Sequence, residues 1–268
     1  MSHEVIRTRK GLVAMRSLEA GEVMHPGVGP LVEAEQLYVR QSRLAQRLQT
    51  TVGRNLVLFD IGMGAASNAV AARMESERAP AGAARLELVS FERDLGALEL
   101  ALDHPSDFAL GGENGDAARA LLAHRRHETE RTCWRLHHGE VLEALARETC
   151  LADIVFWDPF SPKTNPDLWT IAAFSAVRRV ANTHATLFTY SASTAVRASL
   201  LLAGWAVGVG DSIGEKAATT AAAIAAEDLV RPLDRPWLGR LSRPDAPLPS
   251  DAPADIVARI SALPQFRG

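Results

Sequence analysis

Three carboxylates in this sequence each follow a short apolar run, at the place where ligand-binding residues stand in an open parallel sheet. Asp60 comes after LVLF, Glu92 after LELVSF and Asp158 after DIVFW. Because the carboxyl ends of parallel strands meet at one edge of a sheet, we expect these side chains to share a ligand-binding edge. Carboxylate oxygens accept hydrogen bonds, and the hydroxyls of a ribose are suitable donors. The pattern therefore predicts a site for a nucleotide-like ligand.

The stretch 56–74, LVLFDIGMGAASNAVAARM, has the form of a nucleotide-binding strand, glycine turn and helix. Its apolar residues 56–59 predict a buried parallel strand, Gly62 and Gly64 a tight turn, and Ala65 the start of a helix. Residues without a Cβ atom let the backbone fold back and let a ligand lie against it. Ala66 stands where a dinucleotide fingerprint has its third glycine, and the acid precedes the glycines. The turn therefore resembles the first motif of S-adenosylmethionine methyltransferases more than an NAD site.

Glu92 ends the second predicted strand, at residues 86–91. In nucleotide-binding α/β folds an acid here binds a ribose, because two adjacent hydroxyls match two carboxylate oxygens. The alternative is a capping charge for the following helix, a role that Asp94 can fill instead. After the third strand, at residues 132–136, Glu140 is expected near an adenine ring. His137 and His138 could line the same edge, although such a pair is more often structural.

Asp158 begins the loop DPFSPKTNPDLWT. Proline residues restrict this loop, and Asn165 is predicted to cap a helix that begins at Pro166. An acid followed by proline and an aromatic residue resembles the (D/N)PP(Y/F) loop with which amino-group methyltransferases hold a nitrogen beside the donor methyl. The alternative is a loop that merely connects a strand to a helix. Trp169 is interpreted as helix packing, with a substrate contact left open.

The segment VEAEQLYVRQSRLAQRL predicts a helix before the first sheet strand. Its leucines at positions 37, 44 and 48 fall on one face. The opposite face is basic and consists of Arg40, Arg43 and Arg47. A solvated surface is the simpler interpretation of these arginines, and a patch for a polyanion is the alternative.

Composition limits the class of protein. The chain has 268 residues, of which 47% are hydrophobic and 23% charged, so it is long enough for one α/β domain with additions. Its start has no signal-peptide core, and no run approaches the roughly 18 apolar residues of a membrane span. We therefore expect a cytoplasmic protein without a membrane partner. The net charge of −3 gives no global attraction to a polyanion, so nucleic acid would need a local patch.

The cysteines and histidines predict no metal site. Cys133 and Cys150 lack CxxC spacing, and His124 and His127 have no third ligand nearby. Both cysteines are interpreted as reduced, packed thiols. The sequence sets no oligomeric state.

The remaining runs predict an α/β fold with a mostly parallel seven-stranded sheet and helices on both faces. With its glycine turn, this fold resembles the Rossmann-like class I S-adenosylmethionine-dependent methyltransferases. Further strands are expected at residues 153–157, 184–190, 205–209 and 219–225, and the last of these reads also as helix. We divide the chain into a hairpin and helix extension at 1–54, the methyltransferase domain at 55–228 and a proline-rich tail at 229–268.

Together, these motifs resemble the tRNA 5-methylaminomethyl-2-thiouridine methyltransferases, which are the methyltransferase half of the bifunctional MnmC enzyme and its stand-alone relatives. The resemblance is carried, in order, by HPGVGPLVEAE, DIGMGAASN, DPFSPKTNPDLWT, TYSAS and GEK. It implies an S-adenosyl-L-methionine-dependent N-methyltransferase with tRNA as its substrate. The methyl acceptor would be the 5-aminomethyl group of the wobble uridine.

The resemblance also implies roles for single residues, with Asp158 as the catalytic residue that faces the amine. The implied cofactor-binding residues are Glu33, Asp60, Gly62, Gly64, Glu92, Glu140 and Asp158. The implied substrate-binding residues are Phe160, Lys163, Trp169, Tyr190 and Lys216. The chain departs from the family at Pro159, where alanine is usual, and after Lys216, where Ala217 replaces a second basic residue. No oxidase domain follows, so any carboxymethyl-removing step is expected elsewhere or is absent.

Two other functions stay open. A small-molecule amine N-methyltransferase or a polyamine-synthase-like enzyme fits the acidic balance and the altered GEK segment. The second alternative is a non-catalytic module that binds the donor. The intact acids Asp60, Glu92 and Asp158 argue against this alternative. A basic rim around one mouth, formed by Lys163 and the three arginines at positions 40, 43 and 47, would favour tRNA, whereas a closed apolar pocket would favour a small amine.

Overall fold

The apolar runs form two sheets in the computed structural model of the protein, which describes residues 2–8, 11–24, 29–212, 218–243 and 247–267. The strands are β1 (His3–Arg7), β2 (Val13–Ser17), β3 (Val23–Met24), β4 (Leu56–Ile61), β5 (Leu86–Glu92), β6 (Arg126–Glu128), β7 (Thr132–His138), β8 (Ala152–Trp157), β9 (Ala181–Thr189), β10 (Ala206–Gly210) and β11 (Thr219–Ala223). The α-helices are α1 (Pro30–Glu33), α2 (Leu44–Thr50), α3 (Ser67–Glu77), α4 (Gly96–Leu102), α5 (Glu113–His124), α6 (Val141–Arg147), α7 (Ile171–Arg179), α8 (Thr194–Leu202) and α9 (Ile256–Ser261).

The main sheet has the strand order β10-β11-β9-β8-β4-β5-β7-β6. Strands β7, β5, β4, β8 and β9 are mutually parallel, whereas β11 and β6 pair antiparallel to their neighbours. The predicted fold class is confirmed, but the sheet has eight strands instead of seven. The extra strand, β6, and helix α5 come from residues 103–129, a stretch with little sequence pattern that predicts a surface loop with a short helix. Ala117, Ala118 and Leu121 explain the longer helix, because they are fully buried on one of its faces.

Strand β11 resolves an ambiguity of the sequence. Its alanine-rich stretch has helical propensity, yet it lies between β9 and β10, with Ala222 opposite both Leu187 and Val207. Tertiary packing therefore decides its conformation.

Two apolar cores cover the two faces of the main sheet. One contains the helices of residues 30–50 together with α3, α4 and α5, and the other contains α6, α7, α8 and α9. The tail joins the second core: Gln265 exchanges hydrogen bonds with the backbone N and O of Val207 in β10, at 2.8 and 2.6 Å. The division at residues 54 and 228 stays a prediction.

The predicted N-terminal hairpin is present as β1 and β2, and β3 adds a third strand to it. The predicted helix is interrupted, because α1 continues into a π-helical segment (Ala34–Arg40) and Arg43 adopts φ +55° before α2. The leucines at positions 37, 44 and 48 are buried as predicted.

The interpretation of Arg47 as part of a basic face was wrong. Its guanidinium donates to Thr186 Oγ1 at 2.9 Å and to the Asp153 carbonyl at 3.0 Å. Asp153 is the second residue of β8, and Thr186 pairs with the next residue, Ile154, so Arg47 points away from the carboxyl edge where ligands gather. Arg47 therefore ties the N-terminal helix to the sheet, whereas Arg40 and Arg43 are exposed.

The helix after the Asp158 loop begins later than predicted. Residues 166–169 form one turn of 3-10 helix, without a side-chain cap from Asn165. Thr170 caps α7 instead, because its Oγ1 accepts the Ala173 N–H at 3.1 Å. Among the helices that the structure describes, none is long and apolar enough to cross a bilayer.

Glu148 generates a prediction about acid stability. Burial alone would raise the pKa of this carboxylate, but hydrogen bonds from His137 (2.8 Å) and two backbone N–H groups, together with the charge of Arg135, lower it from 4.5 to about 2. Because the folded-state pKa is depressed, the stabilisation is present above about pH 4.5 and is lost as the pH falls towards 2. We expect Glu148→Gln to lower the free energy of unfolding by about 2–3 kcal/mol at pH 7.

Denaturant unfolding at several pH values measures this effect. The difference between wild type and Glu148→Gln should shrink as the pH falls from 5 to 2. Glu143→Gln is the matched control, since that side chain is 71% exposed and its ion pair with Arg147 should contribute under about 0.5 kcal/mol. A pH-independent difference would contradict the assignment.

Candidate active site

The ends of β4, β5 and β8 meet through backbone hydrogen bonds at the carboxyl edge of the sheet. The N–H of Asp158 donates to the Ile61 carbonyl at 2.9 Å, and the N–H of Gly62 donates to the Phe91 carbonyl at 3.0 Å. The predicted turn and the predicted loop are therefore in direct contact. The sequence predicts that a nucleotide-like ligand binds at this edge.

Gly62 allows that contact. Its φ is +83°, and a Cβ atom here would lie 2.8 Å from the carbonyl oxygen of Asp158 and from the N and Cα atoms of Pro159. The missing side chain therefore makes room for the loop, a reason that the sequence did not reveal. Ala66, at the position of a third fingerprint glycine, also has a left-handed φ of +66°. This alanine gives the chain an unfavourable backbone conformation at the start of α3.

Glu92 is held by three backbone donors. Its Oε1 accepts the N–H groups of Arg93 (2.7 Å) and Asp94 (2.9 Å), and its Oε2 accepts that of Gly64 (2.9 Å). Burial is the largest influence on this carboxylate and raises its pKa despite these bonds. A carboxylate offers about four acceptor positions, so Oε2 can accept one further donor. Asp94, the other acid weighed for capping, accepts the Gly96 N–H at 2.8 Å at the start of α4.

Asp60 lies beneath the turn. It is fully buried, and its Oδ2 accepts the Ser90 hydroxyl at 2.8 Å. The same hydroxyl oxygen accepts the indole N–H of Trp134 at 3.0 Å. These bonds join β4, β5 and β7 just before the carboxyl edge, so Asp60 supports the turn from inside the sheet.

Asp158 is surrounded by polar side chains from distant elements. Its Oδ2 accepts the amide Nδ2 of Asn68, in the first turn of α3, at 2.7 Å. Asn68 is 2% exposed, and its Oδ1 has no donor among the described residues. A carboxylate only accepts, so the amide must turn its NH₂ towards Asp158 and leave its oxygen for another donor. The sequence motif DIGMGAASN contained Asn68, but nothing in the pattern gave it a role.

Two tyrosines lie close to the same carboxylate. Tyr38 is buried, and burial first, then the charge of Asp158, raises its pKa well above the ordinary value. Tyr190 shows the same direction of pKa shift from burial and then from the charges of Asp158, Glu22 and Glu33. Both hydroxyls therefore stay protonated at neutral pH in a site with negative potential.

Aromatic side chains hold the Asp158 loop from one side. Trp169 donates its indole N–H to the Phe160 carbonyl at 2.8 Å, and Tyr190 donates its hydroxyl to the Pro159 carbonyl at 3.1 Å. The rings of Trp169 and Tyr190 meet edge to face, with centroids 5.7 Å apart. Trp169 is 4% exposed, so in this structure its ring packs inside the protein.

Glu22 holds the loop from the other side, and sequence reasoning missed it. This residue lies between β2 and β3, and its carboxylate accepts the Ser161 N–H (3.0 Å), the Ser161 hydroxyl and the Thr164 hydroxyl (2.5 Å). Burial opposes ionisation, but these bonds and the charge of Lys163 lower its pKa overall. No sequence pattern links Glu22 to this loop, because Ser161 and Thr164 are 139 and 142 positions away in the chain.

The other predicted site residues lie around this edge or outside the described part. Glu33 is buried, Phe160 is half-buried and Lys163 is exposed. Glu140 is exposed at the end of β7, 3.6 Å from the guanidinium of Arg93. Lys216 lies outside the described residues. No cluster of three or more His, Cys, Asp or Glu side chains suited to a metal ion occurs in the described ranges.

The histidines at the end of β7 have structural partners. His137 stacks on Phe91 with ring centroids 5.0 Å apart, besides its contact with Glu148. His138 Nε2 lies 3.1 Å from the Arg93 carbonyl. Their positions therefore favour packing over ligand binding.

The arrangement can hold a ligand that carries hydrogen-bond donors. Glu92 can accept one donor beside the glycine turn, and Asn68 can accept another beside Asp158. An N–H group suits the second position, because all the carboxylates there repel an anion.

Comparisons with known proteins agree with this geometry. A family of S-adenosyl-L-methionine-dependent methyltransferases matches residues 117–225. The tRNA 5-methylaminomethyl-2-thiouridine biosynthesis bifunctional protein MnmC of Azoarcus sp. (strain BH72) is 33% identical over 204 residues, 73% of this chain and 32% of that protein. The protein of the same name from Ectopseudomonas mendocina (strain ymp) is 30% identical over 233 residues, 82% of this chain and 34% of that protein. The chain spans about a third of the length of these curated relatives.

Solved structures show the same fold. MnmC2 from Aquifex aeolicus matches with a TM-score of 0.73 and 26% identity, over 96% of this chain and 83% of that chain. Spermidine synthase from Thermotoga maritima matches with a TM-score of 0.55 and 12% identity, over 98% of this chain and 81% of that chain. At that identity the likeness to spermidine synthase is one of fold alone.

Replacement of Gly62 tests the contact between turn and loop. Gly62→Ala adds a Cβ atom 2.8 Å from loop backbone, whereas Gly53→Ala adds one at a similar φ of +73° with no atom within 4 Å. We expect Gly53→Ala to lower the free energy of unfolding by about 1 kcal/mol. Gly62→Ala should cost about 1–3 kcal/mol more and displace the loop. Thermal unfolding of both variants measures this, and equal losses would contradict the crowding.

Replacement of Glu22 tests the clamp on the loop. Glu22→Ala removes the acceptor of three hydrogen bonds, so the loop should open more often. Trypsin cleavage after the exposed Lys163 should then be faster than in wild type. Glu19→Ala is the control, because Glu19 is an exposed acid nearby that leaves the loop untouched. Cleavage at the wild-type rate in Glu22→Ala would exclude a clamp.

Proposed function

We propose, from the premise that this chain belongs to the MnmC-like family of S-adenosyl-L-methionine-dependent methyltransferases, that it methylates the 5-aminomethyl group of the wobble uridine in tRNA. The observation that carries the proposal is the pair of Asp158 and Asn68. It offers acceptors to an amine at the edge where the donor binds. The names of the MnmC relatives support tRNA as the substrate. Such an activity belongs in the cytoplasm.

The residues at the edge fit this donor. The remaining acceptor position of Glu92 Oε2 suits one ribose hydroxyl, because Oε1 already accepts two backbone donors. Gly62 and Gly64 would approach the donor through the backbone of the turn, and Asp60 acts through the turn that it supports. Glu33 would close the pocket, and Glu140 would lie by the adenine. When bound, S-adenosyl-L-methionine supplies an electrophilic methyl group on its sulfonium.

Asp158 has to orient an amine that loses its proton. A free alkylamine resembles a lysine head, with a pKa near 10.4, so a neutral amine at pH 7 costs about 4–5 kcal/mol. The carboxylates near Asp158 favour the charged ammonium form, which opposes this step. We infer that partial desolvation lowers the amine pKa, that Asp158 accepts an N–H hydrogen bond, and that the proton leaves to Asp158 or to water. Asn68 holds the carboxylate in place and accepts a second N–H at its Oδ1.

The loop residues complete the substrate site of the proposal. Phe160, which is half-buried, and Lys163, which is exposed, would contact the nucleotide, and Tyr190 would stand behind the loop. Trp169 would act as a positioning residue, since it is buried and holds the Phe160 carbonyl. Lys216, outside the described residues, keeps its proposed role in substrate binding.

Replacement of Asp158 tests the proposal. Asp158→Asn keeps the shape of the side chain but removes its charge, so we expect turnover to fall by about 100-fold or more. Donor affinity should change little, because the glycine turn and Glu92 are unaltered. The assay measures transfer of labelled methyl groups to tRNA that carries 5-aminomethyluridine, with donor binding followed by calorimetry.

Asp167→Asn is the matched control, an exposed acid later in the same loop. Its turnover should equal that of wild type. Equal turnover of Asp158→Asn would refute the role of Asp158. If the protein binds the donor and methylates a small amine or polyamine but not this tRNA, the proposed substrate is wrong and the proposed cofactor is right.

A further inference from the structure

A cavity that contains three arginines lies between the proline-rich tail and the end of the main sheet. Its volume is about 490 Å³. It is lined by Arg197 of α8, Val209 of β10 and residues of the segment 232–243 that include Arg240 and Arg243. We call it the arginine pocket.

Arg197 is a buried cation with no acidic partner in the part of the chain that the structure describes. Arg197 is 5% exposed, and its guanidinium donates to Thr220 Oγ1 at 3.0 Å and to the Thr219 carbonyl at 2.9 Å. Both acceptors are uncharged. Burial, and then the nearby charge of Arg240, lower the pKa of Arg197. A buried charge of this kind is stabilised when an anion is brought beside it.

The other two guanidiniums add to the positive charge. Arg240 and Arg243 are exposed, and neither forms an ion pair with a carboxylate in the described ranges. Asp234 is the acid that lines the pocket, and its carboxylate caps the local turn by accepting the Trp237 N–H at 3.2 Å. The indole Nε1 of Trp237, which also lines the pocket, has no acceptor among the described residues. The pocket thus offers donors and positive charge to an anionic acceptor.

The pocket lies at the sheet edge that carries the candidate active site, because Val209 in its lining pairs with Thr220 at the start of β11. Thr220, the partner of Arg197, pairs with Thr189 at the end of β9 and donates its hydroxyl to the Ser191 carbonyl at 2.6 Å. Strands β10 and β8 are three positions apart in the sheet order, which corresponds to about 14 Å at the usual strand spacing. A group in the pocket is therefore too far away to be the reacting nucleotide and near enough to belong to the same chain of RNA.

We propose that the arginine pocket binds a backbone phosphate of the RNA substrate that flanks the modified nucleotide. This inference rests on the proposed function, since it assumes that tRNA is the substrate. Arginine suits the role because its planar guanidinium donates two parallel hydrogen bonds to phosphate oxygens. The pocket also explains how a chain with a net charge of −3 binds a polyanion, because positive charge is concentrated where the strand passes.

Binding of an anticodon stem-loop RNA at several salt concentrations tests the pocket. The double variant Arg240→Gln, Arg243→Gln removes the exposed charges and leaves buried Arg197 in place, so the fold is retained. We expect affinity to fall by about 10-fold and the slope of log affinity against log salt to decrease by about 1 or more. In methyl transfer, KM for tRNA should rise by a similar factor with kcat and donor affinity unchanged. Arg179→Gln, an exposed arginine at the end of α7, is the matched control and should leave all values unchanged.

Each outcome decides between explanations. Wild-type affinity and salt slope in the double variant would overturn the proposal. A second outcome is that inorganic phosphate raises the melting temperature of wild type but not of the double variant, while both proteins bind the RNA with equal affinity. That result would assign the pocket to a free anion and overturn the RNA contact. Arginine-dependent RNA binding without any methyl transfer by wild type would keep the pocket and refute the proposed function.

Discussion

The candidate active site depends on the close approach of two backbone segments, the turn after β4 and the loop after β8. A Cβ atom on Gly62 would lie 2.8 Å from the backbone of Asp158 and Pro159, so only glycine permits the contact. The N–H of Asp158 then bonds to Ile61, and Asn68 reaches the Asp158 carboxylate from the helix that follows the turn. The contact between the turn and the loop therefore positions both the residues proposed to bind the methyl donor and those proposed to bind the methyl acceptor.

The loop is held at several points by elements from the whole chain. Glu22 of the N-terminal sheet binds one side of it, and Trp169 and Tyr190 bind its carbonyl groups from the other side. These contacts fix the position of Asp158, and methyl transfer requires fixed alignment of the reacting groups. The small N-terminal sheet thus has a function beyond covering the core.

Electrostatics divide the carboxyl edge into two regions. Near Asp158, burial and then the charges of Asp158, Glu22 and Glu33 raise the pKa of Tyr190, and the same negative charges attract a cationic amine. Towards β10, the arginine pocket concentrates positive charge. An aminomethyl group attached to a phosphate chain carries both charges, so the two regions together match the proposed substrate better than either does alone.

The sequence by itself determined the five parallel strands β4, β5, β7, β8 and β9, the glycine turn and the loop that begins at Asp158, because apolar runs, glycines and prolines act within a few neighbouring residues. It also placed Glu92 at the edge of the sheet. Only the tertiary structure decided which side chains surround Asp158, since Tyr38 and Asn68 are far from it in sequence and carry no motif of their own. The same holds for Arg47, which patterning assigned to a solvated face but which binds Asp153 and Thr186 across the sheet. Short sequence patterns therefore predict where the site forms, whereas contacts between residues distant in sequence determine which side chains complete it.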